Sequence, residues 1–211
     1  VLLLYRGLVP VVLTAFGAGE GIEAMLAGAD LPREVYYLWL PEHEPLLSAR
    51  YERPHAQEEW RMVLDWAHFS APPLDGVRRI APDEAGALAA LYQHAASPGE
   101  EVVAFSPAQI GRGAFFGVWA NGALVATAGT HVWSQQESIA AIGNVFTHPA
   151  HRGSGLATRC TAAAVEAARG AGIETVVLNV RQRNMPAIHI YEKLGFVRYA
   201  LFLEGPALRR A

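Results

Sequence analysis

From Ser138 to Gly205 the sequence switches repeatedly between two hydrophobic periods, and nothing else in the chain constrains the fold as strongly. SIAAIGNVFTHP is rich in β-branched and aromatic residues, as a strand is. Gly155 to Gly170 is almost pure helix former, ETVVLNV is strand-like, MPAIHIYEKLG is helical and FVRYALFLEG is strand-like again. A strand, a helix and a second strand in succession predict a crossover between parallel strands. Upstream, GAFFGVWA and ALVATAGTHVWS flank Asn121-Gly122, a pair suited to a tight hairpin turn with positive φ at both central positions. Hairpin first and crossover later predict an α/β (α+β) fold with a mixed, mostly antiparallel central sheet and flanking helices.

The remaining segments extend this reading. VRRI is expected to be a strand, followed by a helix with Pro82 and Asp83 at its start. Ser70 to Gly76, SAPPLDG, concentrates proline and glycine after an apolar run and reads as a linker. It divides the chain into an N-terminal accessory α/β domain, residues 1–73, and a second domain, residues 77–211. In the first part Val1 to Leu4 reads as a buried strand, since no basic stretch precedes it as in a signal peptide. GIEAML reads as a short helix, YYLWLP as a strand and EEWRMVLDWAHF as either a helix or a long strand. Trp39, Trp60 and Trp66 in this part imply a substantial apolar core or an interface, and with it a possible homodimer.

Several function classes are disfavoured at once. Apolar residues make up 52% and charged residues 18%, enough for a packed core and too apolar for disorder. No apolar run approaches the ~18 residues of a bilayer span, so no membrane segment is expected. The single cysteine, Cys160, rules out an internal disulfide framework and a thiolate zinc cluster, and it fits a reducing cytoplasm. With 17 basic and 20 acidic residues scattered along the chain and a net charge of −3, bulk nucleic-acid binding is disfavoured.

The chemistry is expected where the strand ending at Thr147 passes into the helix opening near Gly155, through HPAHRGSG. A helix start leaves N–H groups without partners, and its dipole makes the place electropositive. Gly153 and Gly155 let a bulky anion approach the backbone, and Arg152 adds a fixed charge. A phosphate-binding P-loop needs a lysine and a hydroxyl after its last glycine, where Leu156 and Ala157 stand. A dinucleotide fingerprint needs a third glycine where Thr158 stands, and an acid at the end of the next strand, whereas Glu174 begins it. The third reading is the pyrophosphate of an acyl-CoA.

HRGSGLA together with NMPAIHIYEKLGF resembles the GNAT superfamily of N-acyltransferases, whose signature is R/Q-x-x-G-x-G/A followed by N-x-x-A-x-x-x-Y-x-x-x-G-F. Arg152, Gly155 and Ala157 match the first part; Asn184, Ala187, Tyr191, Gly195 and Phe196 match the second. The resemblance covers about Val77 to Gly205. It implies that the backbone of Val145, Phe146 and Thr147 meets the pantetheine arm of acetyl-CoA, the cosubstrate. It also implies that Arg152, Gly153, Ser154, Gly155, Leu156, Ala157 and Thr158 cradle the pyrophosphate.

On the later helix Asn184, Ala187 and Tyr191 share one face. Asn184 is either a helix cap or a cofactor contact. Tyr191 is implied as the general acid that protonates the leaving thiolate, against the plainer reading of a core tyrosine. Glu137 is the first choice of general base, with His131 and His148 as alternatives. The resemblance therefore implies an N-acetyltransferase acting on a small-molecule or peptide amine by direct attack in a ternary complex. The rival is a non-catalytic CoA-binding sensor or interaction module.

Overall fold

The computed structural model describes residues 1–7, 9–53, 56–95 and 105–210. In chain order its strands are β1 (Leu2–Tyr5), β2 (Val11–Ala15), β3 (Glu34–Trp39), β4 (Tyr51–Glu52), β5 (Gln57–Leu64) and β6 (Val77–Arg79), then β7 (Phe116–Ala120), β8 (Ala123–Ser134), β9 (Ile139–Thr147), β10 (Thr175–Arg181) and β11 (Phe196–Arg209). Its helices are α1 (Gly19–Gly28), α2 (Glu44–Ser48), α3 (Ala85–Ala95), α4 (Ala108–Arg112), α5 (Leu156–Gly170) and α6 (Met185–Lys193). They form two compact units. One comprises Val1–Arg61, Val180–Asn184 and Tyr199–Ala211, the other Met62–Asn179 and Met185–Arg198. No helix among the described residues is long and apolar enough to cross a membrane.

The second unit contains the hairpin and crossover expected from the sequence. β6, β7, β8 and β9 pair antiparallel in that order, and β10 joins β9 in parallel after the α5 crossover. Asn121 and Gly122, at φ 50° and 80°, make the β7–β8 turn. Because side chains alternate along a strand, Val145 and Phe146 enter different cores. Phe146 joins Leu88, Leu91 and Tyr92 of α3 and Ile110 of α4, whereas Val145 packs with Leu156 and Cys160 of α5. Mixed, mostly antiparallel pairing between helical layers is thus the observed fold class.

Gly195 ends α6 in the left-handed region, φ 98°, and its carbonyl accepts the Asp65 N–H at 2.9 Å. A Cβ there would lie 2.8 Å from the carbonyl carbon and oxygen of His68 and 2.9 Å from the nitrogen of Phe69. All three are backbone atoms that cannot swing aside. Gly195→Ala is expected to cost about 3 kcal/mol from backbone strain and overpacking together, read as a lower midpoint in urea unfolding.

In the first unit β1 and β2 pair antiparallel, and β2 runs parallel to β3 through α1. The far half of β11 pairs antiparallel with β3 and, at its end, with β4. Leu13, Ile22, Val35, Tyr37, Trp39, Leu47 and Tyr51 fill its core. Of EEWRMVLDWAHF, Glu58 to Leu64 takes the strand alternative, as part of β5, and Asp65 to Phe69 forms a turn beyond it. β1 is half-buried rather than buried, its residues alternating between partly covered and exposed.

This unit also holds two acids, Glu59 buried and Glu204 partly buried. Tyr36 Oη on β3 donates to Glu204 Oε1 on β11 at 2.6 Å, and Glu59 on β5 lies 4.0 Å from Arg181 Nε. Burial pushes the Glu59 carboxyl up to about 8, and the Glu204 charge adds to the rise against the opposing pull of Arg181. A carboxyl whose folded value lies above its unfolded value of 4.5 binds its proton more tightly in the native state. Its contribution to stability is complete below the unfolded value and is lost as pH climbs towards 8. Glu59→Gln should therefore flatten the fall in Tm between pH 5 and pH 9, gaining a few degrees on the wild type at the alkaline end.

Candidate active site

The site begins with an irregularity in β9. Ala126 faces Thr147 and Thr127 faces Phe146 across the β8–β9 ladder, but Gly129 faces Gly143, so β9 carries one more residue than β8 in this interval. The extra residue makes a β-bulge, and Asn144 takes φ 52° within it. On the other edge, the parallel ladder to β10 runs from Ile139↔Thr175 to Ile142↔Leu178 and stops there. β9 therefore loses its β10 partner immediately before the bulge. From α3, the buried Tyr92 hydroxyl donates to the Asn144 carbonyl at 3.0 Å, and its ring meets Phe146 edge-on at 6.1 Å.

β9 then delivers the chain to the loop. Pro149–His151 forms a single 3₁₀ turn, in which the His148 side chain accepts the Ala150 N–H. Gly153 and Gly155 adopt φ 79° and 75°, and a Cβ at either would meet no heavy atom within 4 Å. Glycine is needed there for backbone conformation, and the space beside both residues is open. Gly155 is the N-cap of α5, with the Arg159 N–H donating to its carbonyl at 3.1 Å.

Among the described residues the N–H groups of Gly153 to Thr158 donate to no backbone carbonyl. The Ser154 hydroxyl is turned onto the His151 carbonyl at 2.7 Å rather than across these amides. Arg152 Nε donates to the Thr147 carbonyl at 3.2 Å, which ties the arginine to the end of β9. Successive amides in a left-handed turn, at the start of a fifteen-residue helix and beside an arginine, make a seat for a phosphate-sized anion.

On α6 the Tyr191 side chain is buried, with its ring edge-on to Phe196 at 6.0 Å. Burial raises its phenol above the ordinary range, so it stays protonated at neutral pH. No hydrogen-bond partner for its hydroxyl is present among the described residues. Ala187 lies on the same helix, partly buried. Asn184 directly precedes the first residue of α6, and its N–H donates to the Arg181 carbonyl at 2.9 Å.

The expected base, Glu137, is not brought to this site. It is exposed in the turn joining β8 to β9, and the whole of β9, Ile139–Thr147, separates it from the loop. Nine strand residues span about 30 Å, and the five from Ile139 to Gly143 that lead to the bulge span about 17 Å, beyond the reach of a carboxylate. His131 is the better-placed alternative. Its ring lies against β9, where a Cβ on Gly143, one residue before the bulge, would fall within 2.7 Å of its imidazole atoms. His148 caps the 3₁₀ turn, and His189 is exposed on α6. Cys160 is fully buried in α5, and burial pushes its thiol up to about 12, which leaves it neutral and unsuited to covalent catalysis.

Sequence reasoning missed Asn144 and Tyr92. An asparagine in an otherwise β-branched and aromatic run was a usable signal, since asparagine tolerates left-handed φ better than most residues. Nothing local marked Tyr92, whose role depends on a contact 52 residues away in sequence.

Residues 74–196, more than half of the chain, match the model of the acetyltransferase (GNAT) family. The mycothiol acetyltransferase of Pseudarthrobacter chlorophenolicus is 30% identical over 184 residues, covering 76% of this chain and 56% of that protein. The chain thus spans about half the length of this relative. The L-amino acid N-acyltransferase MnaT of Escherichia coli is 32% identical over 54 residues, 26% of this chain and 31% of that one. Among solved structures, a GCN5-related N-acetyltransferase from Kribbella flavida superposes with a TM-score of 0.65 at 17% identity, covering 95% of this chain and 82% of its own. A GCN5-related N-acetyltransferase-like protein from Streptococcus suis does so with a TM-score of 0.63 at 16% identity, covering 99% and 83%.

Proposed function

The chain belongs to the GNAT acetyltransferase family, and from that premise we propose that it is an N-acetyltransferase that moves an acetyl group from acetyl-CoA to an amine by direct attack in a ternary complex. The observation that carries this reading is the loop after β9, where open space adjoins two left-handed glycines and the amides from Gly153 to Thr158 have no backbone acceptor among the described residues. These features fit a diphosphate. Acetyl-CoA supplies the activated thioester.

In this reading Gly153 to Thr158 and Arg152 hold the pyrophosphate, and the backbone of Val145, Phe146 and Thr147 aligns the pantetheine arm beside the bulge. Tyr191 holds a proton for the departing sulfur as the carbonyl carbon exchanges its C–S bond for a C–N bond. His131 takes the proton that the attacking amine releases. Asn184 and Ala187, at the start of α6, border the thioester end. Cys160 takes no part.

Residues 1–73 are proposed to be an accessory domain and residues 77–211 the acyltransferase domain. The proposed location is the cytoplasm, with no nucleic-acid or membrane partner, and a homodimer is the proposed assembly. Relatives from three organisms are named mycothiol acetyltransferase, so mycothiol-related amines lead the candidate acceptors.

The test is mass spectrometry of products from acetyl-CoA and an amine panel that includes mycothiol-related amines, amino acids and peptides. An acetylated amine, 42 Da heavier by the mass of the added C₂H₂O, is the expected result. CoA binding without a product on any amine would instead favour the sensor.

A further inference from the structure

Asn144 carries a donor that the fold does not use. The residue is 8% exposed, and its Nδ2 is buried without a hydrogen-bond partner among the described residues. Leaving such a group unsatisfied costs about 1–3 kcal/mol. The backbone adds to this cost, because φ 52° is uncommon for a residue other than glycine. The carbonyl of the same residue is satisfied by Tyr92 Oη at 3.0 Å, so the bulge is fixed from the α3 side while the carboxamide is left over. All this happens at the point where β9 has just lost β10 as a neighbour.

Strain, burial and an unspent donor at one residue of a bulge are what a ligand-binding position requires. We propose that Asn144 Nδ2 donates a hydrogen bond to a carbonyl oxygen of the bound acyl-CoA, a chain that carries such oxygens in its thioester and in the amides of its pantetheine arm. The inference rests on the transferase reading above. A carboxamide suits the task because it donates at every pH and carries no charge. A carboxylate in its place would set two acceptors against each other.

The test compares Asn144→Asp, Asn144→Gly and the wild type in calorimetric titrations with CoA and with acetyl-CoA. Asn144→Asp keeps the shape and the tolerance of left-handed φ while removing the donor. Asn144→Gly keeps the backbone conformation and removes the side chain, and it decides the matter if the buried aspartate impairs folding. Loss of one hydrogen bond is expected to weaken binding about five- to tenfold. If acetyl-CoA binding weakens and CoA binding does not, the partner is the thioester carbonyl. If both weaken equally, it is a pantetheine amide. If folded variants bind both ligands as the wild type does, the proposal is overturned and the transferase reading stands. A wild type that binds neither ligand overturns both.

Discussion

Gly155→Val is expected to raise the dissociation constant for CoA by at least about a hundredfold, with only a modest loss of stability. At φ 75° a side chain is strained whatever the space around it, and a β-branched one is the most strained. Here the space is empty, since a Cβ at Gly155 meets nothing within 4 Å. A Cβ there therefore strains the backbone without clashing with the ligand-free fold. The loop relieves the strain by rotating about Gly155, and that rotation turns the adjoining amides out of line. Each hydrogen bond from an amide to a charged phosphate oxygen is worth about 1.5–3 kcal/mol. Two lost together exceed the ~2.7 kcal/mol that separates hundredfold affinities. Calorimetric titration with CoA checks the affinity, and thermal unfolding without ligand checks that the fold persists. An affinity unchanged in a folded variant would mean that the loop does not hold the phosphates.

Tyr191→Phe is expected to lower kcat by a factor of about 100 or more while leaving the CoA dissociation constant within about twofold. Phenylalanine keeps the ring and its edge-on contact with Phe196. The hydroxyl has no hydrogen-bond partner among the described residues, so its removal strands no buried group and should barely move Tm. Burial raises the phenol above its ordinary range, so wild-type Tyr191 keeps its proton at neutral pH. A tyrosine that served only the core would leave kcat unchanged, with Tm again barely moved. Steady-state kinetics with an amine drawn from the panel distinguishes the two outcomes.

Much of the site was legible in the sequence because its determinants are local. Gly153, Gly155 and Gly195 stand where the backbone must turn left-handed, and the structure gives them φ 79°, 75° and 98°. Arg152 and the helix formers after Leu156 mark the start of α5, where the anion seat is proposed. The hairpin at Asn121-Gly122 follows from the needs of its turn alone.

What was not legible depends on long-range pairing. Whether Glu137 lies near the loop depends on which end of β9 it occupies, and a turn of Gln135–Ser138 closing β8 onto β9 puts it at the wrong one. The bulge at Asn144 is a mismatch of lengths between two strands, so neither strand alone displays it. EEWRMVLDWAHF was ambiguous because its apolar spacing suits both periods; pairing within the sheet, not local propensity, makes its first seven residues part of β5. The destination of the chain end was equally hidden, since FVRYALFLEG reads as a strand without indicating that its end and the residues to Leu208 pair with β3.

The account stands on the loop from Arg152 to Thr158 as a seat for the CoA diphosphate, and thermal unfolding with CoA, ATP and NAD in parallel tests it most directly. At a hundred times its dissociation constant a ligand adds about 2.7 kcal/mol of stability. CoA is expected to raise Tm by several degrees in the wild type and not in Gly155→Val, while ATP and NAD leave both unchanged. A rise with ATP or NAD and none with CoA would contradict the account.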